Sequence, residues 1–112
     1  MAESHVQTLT IANGAALSEA FNFSGYSWMQ IQMPAAWTAA SLGFQVSSAL
    51  GGTYVPLYDA SGNLVEVAVA VDQAFAVPST ITSASWVKLW SETGGSGVNQ
   101  GAARTIIVVM GT

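Results

Sequence analysis

The sequence is poor in almost every residue type on which enzymes and nucleic-acid-binding proteins depend. Its 112 residues include no cysteine, one histidine and two basic residues. Without cysteine the chain can form neither disulfides nor thiolate metal sites, and this fits folding in a reducing compartment. Its net charge of −4 would repel the phosphates of DNA and RNA, which excludes nucleic acid as a partner.

Ionised side chains of either sign are scarce. Two basic and six acidic residues together make up 7% of the chain, while 51% of it is hydrophobic; an ordinary soluble domain has about 25% charged residues. The length fits a single domain over residues 1–112, which leaves a large share of its residues at the surface. So few charges solvate that surface poorly. We therefore expect much of it to face other protein, in a homo-oligomer or a larger assembly.

Long apolar runs are absent too. The longest, residues 67–71 and 106–110, are far shorter than the roughly 20 residues of a membrane-spanning helix. The start of the chain, residues 1–5, has neither the basic residue nor the apolar stretch of a secretory signal. We expect no membrane partner and assembly in the cytoplasm.

Short apolar blocks, many with strict alternation, predict an all-β fold. Glycine, serine, asparagine and aspartate separate the blocks, and valine, isoleucine, threonine and aromatics fill them. Eight or nine strands suit a closed barrel or a two-sheet sandwich, and we favour an antiparallel β-sandwich that is jelly-roll-like. The predicted strands are residues 6–12, 16–23, 26–33, 42–48, 53–58, 64–71, 73–77, 86–91 and 104–110.

For three connections between strands, the residue types limit the conformation. Asn13-Gly14 predicts a tight hairpin turn between the first two strands, since both residue types tolerate positive φ. Residues 59–63 alternate oxygen-bearing side chains as a calcium loop does, but the later bidentate acid is missing, so a turn capped by Asp59 is the better interpretation. Residues 35–41 are compatible with either a helical turn or a loop.

Catalytic residues are not recognisable. The single histidine, His5, lies near the chain start, where a general base would lack support. The acids form no constellation of the kind used in glycoside hydrolysis. The glycine-rich segment 94–97 is not followed by the lysine and hydroxyl residue of a phosphate-binding loop. We predict no enzyme activity, no cofactor and no metal site.

Aromatic residues are the one suggestive set. They can serve as core packing, as anchors in a subunit interface, or as stacking platforms for a glycan, and the sequence leaves these three roles open. The candidates are Trp28, Trp37, Tyr54, Tyr58, Trp86 and Trp90.

Several phrases of the sequence are similar to those of small virion structural proteins of tailed bacteriophages and prophages. They are residues 31–40, 42–47, 54, 57–59 and 62, together with the ending 99–104. The resemblance implies a head-decoration (cement) protein or the base of a head fibre or spike. Such proteins are typically β-sandwiches that form symmetric oligomers, often trimers. The resemblance implies no active-site residues.

Two functions therefore stand as expectations. The first is a non-enzymatic virion protein that binds the major capsid protein or other virion proteins and stabilises the head. The alternative is a carbohydrate-binding module, which requires Trp37, Tyr54 or Trp90 to be exposed in a shallow groove.

Overall fold

The chain is almost entirely antiparallel β-structure. A computed structural model describes residues 4–112, which form ten strands and a short 3-10 helix at Ser79–Ser83. The strands are β1 (Ser4–Ile11), β2 (Leu17–Asn22), β3 (Trp28–Gln32), β4 (Ser41–Ser47), β5 (Val55–Pro56), β6 (Glu66–Val67), β7 (Ala74–Ala76), β8 (Trp86–Thr93), β9 (Ser96–Gly97) and β10 (Arg104–Gly111).

Hydrogen bonding links the strands in the order β5-β4-β8-β2-β1-β10-β3-β7, with β6 also on β4 and β9 also on β8. Strand β2 connects the two halves of this series. It pairs with β1 only at Ile11↔Ser18 and otherwise follows β8, from Leu17↔Trp90 to Asn22↔Trp86. One layer is therefore β1, β10, β3 and β7, and the other is β8, β4, β5 and β6. The predicted antiparallel sandwich class is confirmed.

The core lies between the layers and follows the alternation of the sequence. Residues two apart on a strand share a face, so each long strand contributes a row of apolar side chains inward. The central strand β10 contributes Ile106, Val108 and Met110, all without accessible surface. The inward residues of the other long strands are Leu9, Ile11, Met29, Ile31, Leu42, Phe44, Val87 and Leu89.

The short strands differ from the sequence prediction. Predicted strands 53–58 and 64–71 shrink to the two-residue β5 and β6. Proline at position 56 has no N–H for the ladder. Both segments pair along the edge of β4 and with each other only at the isolated bridge Tyr58↔Leu64. Residues 35–41 form no helix, which resolves that ambiguity in favour of a loop.

The predicted hairpin of β1 and β2 forms only at its turn. Gly14 has φ +79° and Ala15 N–H donates to the Ala12 carbonyl at 3.0 Å. The register of β2 then shifts between Leu17 and Ala20. This irregularity bends β2 away from β1 and towards β8, so the partner of β1 along its whole length is β10.

A single buried amide ties the loops at one end of the sandwich. Gln100 is 1% exposed. Its Nε2 donates to the Thr38 carbonyl at 3.0 Å and to Ser91 Oγ at 2.8 Å. Its Oε1 accepts the Thr38 N–H at 2.8 Å and Arg104 Nε–H at 3.1 Å. The amide thus uses its full hydrogen-bonding capacity to join loop 34–40, β8 and β10.

We predict that Gln100→Leu lowers the free energy of unfolding by about 2–4 kcal/mol, because it leaves buried partners without hydrogen bonds. Urea denaturation measures this value, with exposed neighbour Asn99→Ala as the matched control. Equal stability of Gln100→Leu and the control would show that the amide network contributes nothing.

Candidate functional sites

The six candidate aromatic residues do not form one platform. Trp28 is 42% exposed and Tyr58 is 52% exposed, but Trp28 belongs to β3 and Tyr58 to the bridge Tyr58↔Leu64 beside the other layer. Trp90 is buried, with its Nε1 3.5 Å from where a Cβ on Gly97 would lie. Of the three rings proposed for an exposed groove, Trp90 is therefore excluded.

The other two groove candidates are half-buried. Trp37 packs against the core, and its indole N–H donates to the Ala40 carbonyl at 3.1 Å. Tyr54 donates its hydroxyl to the Leu50 carbonyl at 2.8 Å, while Lys88 Nζ lies 4.6 Å from its ring centroid. Both rings are held by local contacts, and this gives them a structural role at their own positions.

Residues 59–63 form the predicted turn. Asp59 Oδ1 accepts the N–H groups of Ser61 and Asn63, each at 2.9 Å. Gly62 has φ +83°, and its N–H donates to the Asp59 carbonyl at 3.0 Å. The carboxylate caps its own turn, as the residue types predicted.

The outer face of the layer β1, β10, β3 and β7 is a surface without ionised side chains. By alternation with the core residues, its members are the even residues of β1, β3 and β7 and the odd residues of β10, namely Ser4, Val6, Thr8, Thr10, Thr105, Ile107, Val109, Gly111, Trp28, Gln30, Gln32, Ala74 and Ala76. We call this set the neutral face. Val6 at 60% and Ile107 at 36% exposure are its most accessible aliphatic side chains.

The register places the residues of the neutral face in rows across four strands. Val6 is opposite Val109, which is opposite Gln30, which is opposite Ala76. Two acids lie beside the face: Glu19, whose carboxylate accepts the Thr10 N–H at 2.8 Å at one end of it, and Asp72, next to Gln32 and Ala74 at its β7 edge. The face therefore combines exposed aliphatic groups with amides and hydroxyls, and no charge has to be desolvated to cover its strands.

A pocket of about 400 Å³ opens at the corner where β2 leaves β1. His5 and Gln7 lie on the same strand face as the core residues of β1, but at the end where β2 no longer covers them. The pocket is lined by His5, Gln7, Ala20, Phe21, Asn22, Ser24, Tyr26 and Trp86. We call it the corner pocket. Among the six candidate aromatics, Trp86 is the one that lines it.

An acid pair that the sequence did not reveal lies at the end of β8. Glu92 has no accessible surface. Its Oε1 accepts the Gly95 N–H at 2.9 Å, whereas no N–H or hydroxyl donor of residues 4–112 reaches its Oε2. The neighbouring acid is Glu66, and its carboxyl disfavours ionisation of Glu92. Two carboxyl groups so placed repel each other when both are ionised, which favours a proton on the pair.

A glycine makes this meeting possible. Gly43 on β4 pairs with Glu66 on one side and with Trp90 on the other. A Cβ at Gly43 would lie 3.0 Å from Glu92 Cγ and 3.2 Å from Trp90 Cε3. Because Gly43 has no side chain, the Glu66 and Glu92 side chains can approach each other across β4.

Burial, and then the adjacent Glu66 carboxyl, raise the pKa of Glu92 from an ordinary value of 4.5 to about 7. The Gly95 hydrogen bond acts in the opposite direction because it stabilises the anion. A perturbed acid is a general mark of a functional site. This carboxyl, however, has no accessible surface, so a substrate in solution does not reach it in this structure.

We predict that the stability of the protein falls as pH rises through this window. The unfolded Glu92 ionises near its ordinary value of 4.5, while the folded one keeps its proton to about pH 7. The folded state thus binds more protons between these values. The free energy of unfolding should decrease by about 1–3 kcal/mol across the interval on account of this group.

Glu92→Gln tests this. The amide cannot ionise, and it can still donate towards Glu66 and accept from Gly95, so the variant should be more stable than the wild type at about pH 8 and lose this slope. Denaturation curves at stepped pH measure both effects. Asp72→Asn is the control of equal charge change and should keep the slope; a Glu92→Gln variant with the wild-type slope would refute the assignment.

We also predict that Gly43→Ala lowers the free energy of unfolding by about 1–3 kcal/mol, because the new methyl group must displace Glu92 and Trp90. Thermal unfolding of Gly51→Ala, where nothing lies within 4 Å of an added Cβ, provides the comparison. A Gly43→Ala protein as stable as the control would mean that the contact is not tight.

Comparison with known proteins shows a shared fold. No family model and no curated protein sequence matches the chain. Among solved structures, the chain is similar to one described as the crystal structure of the SPBc2 prophage-derived protein YomS, with a TM-score of 0.65 and 10% sequence identity. The match covers 100% of this chain and 96% of that one. The whole chain therefore has the fold of a prophage-derived protein.

Proposed function

We propose that this protein is a non-enzymatic structural component of a bacteriophage virion, most consistent with a capsid-decoration or head-fibre-base protein. In this proposal it binds the major capsid protein or its own copies through the neutral face and acts in the virion after assembly in the host cytoplasm. It requires no cofactor.

The observation that carries the proposal is the neutral face itself. Four adjacent strands present no ionised side chain outward, while Val6, Trp28 and Ile107 are exposed on them. Exposed apolar surface next to uncharged amides is the composition of a protein interface core, from which charged residues are depleted. The outer face of a sheet can pack against another sheet at the usual distance of about 10 Å.

Two further findings support a phage setting. The fold is that of a prophage-derived protein over the whole chain. The phrases that resemble phage virion proteins, residues 31–40 and 99–104, also meet in space, since Gln100 hydrogen-bonds both backbone groups of Thr38. The resembling segments thus form one structural unit of the molecule.

A homo-oligomer, with a trimer favoured, is part of the proposal. Association that buries the exposed Val6 and Ile107 side chains removes apolar surface from water, and this favours oligomers. The absence of enzyme activity is supported by the inaccessible Glu92, since a catalytic acid has to reach substrate.

The test places charge on the neutral face. Val6→Lys combined with Ile107→Lys should abolish oligomers in light scattering after size exclusion, and should abolish co-sedimentation with heads of the phage that encodes the chain, because each buried lysine would need desolvation. Leu50→Lys, at a residue 57% exposed outside the strands, is the matched control and should behave as wild type.

The proposal makes a clear claim about the wild-type protein. A chain that remains monomeric at about 1 mM and does not sediment with those heads would contradict it. Circular dichroism of the double variant must show the wild-type fold, so that a loss of association reports on the face and not on unfolding.

A further inference from the structure

The corner pocket has a lining that is unusual for a surface depression of this protein. Rings stand on strands that are distant in sequence: His5 on β1 and Trp86 on β8, with Tyr26 in the connection before β3. His5 and Tyr26 are stacked, with centroids 6.2 Å apart and planes inclined by 23°. Aromatic surface is therefore presented by both layers of the sandwich to one volume of about 400 Å³.

Uncharged polar side chains lie among these rings. Gln7 and Asn22 bring amides and Ser24 brings a hydroxyl. Among residues 4–112, no aspartate, glutamate, lysine or arginine lines the pocket. A lining without fixed charge disfavours phosphates, carboxylates and amines, because an ionic ligand would lose hydration without gaining a counter-charge.

Several hydrogen-bond donors in the pocket lining are not used within the protein and are available to a ligand. His5 Nε2 hydrogen-bonds to Gln7 Oε1 at 3.0 Å, and Asn22 Oδ1 accepts the Ser24 N–H at 2.8 Å. These contacts hold the two amides by their oxygens. Within residues 4–112, neither amide nitrogen donates to another protein group, nor do the Tyr26 hydroxyl and the Trp86 indole N–H.

From this arrangement we propose that the corner pocket binds a neutral saccharide. The ring faces of Trp86 and of the His5–Tyr26 stack would cover the apolar C–H faces of a pyranose. The amides of Gln7 and Asn22, fixed through their oxygens, would donate to its hydroxyl groups. The volume lies within the roughly 300–1,000 Å³ range of small-molecule sites, which suits a short saccharide rather than a folded partner.

The proposal goes beyond a structural role and uses a different surface from the neutral face. A virion component with this pocket would carry an adhesive site for uncharged glycans. The open corner is available because β2 pairs with β1 only at Ile11↔Ser18 and leaves the start of β1 uncovered.

The experiment is a titration of the full chain, labelled with ¹⁵N, with glucose, galactose, mannose, N-acetylglucosamine and their disaccharides. The expected result for at least one sugar is saturable shifts confined to the Trp86 indole N–H, the Gln7 and Asn22 amides and nearby backbone. A Kd of about 1 mM is expected for so open a site.

Variants separate the pocket from the rest of the molecule. Trp86→Ala should weaken binding at least about tenfold, since it removes one stacking wall. His5→Ala, at an exposed residue, should weaken binding while leaving the fold intact, and it covers the case in which Trp86→Ala unfolds. Trp28→Ala, which removes an exposed indole from the neutral face, should bind sugar as wild type does.

Three results would overturn the site. They are the absence of saturable shifts with every sugar, shifts located elsewhere on the protein, and unchanged affinity in His5→Ala and folded Trp86→Ala. Failure of the assembly proposal is distinguishable, because it appears in Val6→Lys/Ile107→Lys, whose corner pocket is unaltered.

Discussion

The molecule depends on one strand serving two layers. Strand β2 is paired with β1 in the ladder at one position only, shifts register between Leu17 and Ala20, and then runs along β8. Without this bend, the chain would form a simple hairpin and the two layers would not face each other. The same bend exposes the start of β1, so the corner pocket is a direct result of how the sandwich closes.

The few ionised side chains are largely occupied with local tasks. Glu19 binds the Thr10 N–H, Asp59 caps its turn, and Lys88 lies over the Tyr54 ring. Arg104 joins the Gln100 network, and Glu66 and Glu92 meet each other. Apart from Lys88 in the middle of β8 and Glu19 at the register shift of β2, these charges lie in turns, on edge strands or at strand ends. The neutrality of the β1, β10, β3 and β7 face follows from this distribution, and not from low charge content alone.

Sequence patterns predicted the features that depend on neighbours along the chain. Alternation identified the long strands, such as 42–48 and 86–91, and residue type identified the turn at 59–63. Features created by pairing were missed. Glu66 and Glu92 meet because both approach Gly43 on β4, and no local pattern encodes that register. The predicted ranges of the short edge strands were too long, because the alternation of apolar and polar residues continues beyond the residues that form ladder hydrogen bonds.

The Gln100 network also determines which of its positions can accept other residue types. Its amide binds the main-chain N–H and C=O of Thr38, groups that every residue except proline provides in full. Position 38 can therefore accept many residue types with loss of only the hydroxyl contacts, whereas position 100 needs a side chain with both a donor and an acceptor at the right length. Substitutions are therefore tolerated more readily at position 38 than at position 100, and a distant relative with this fold can differ at position 38 without losing the amide network.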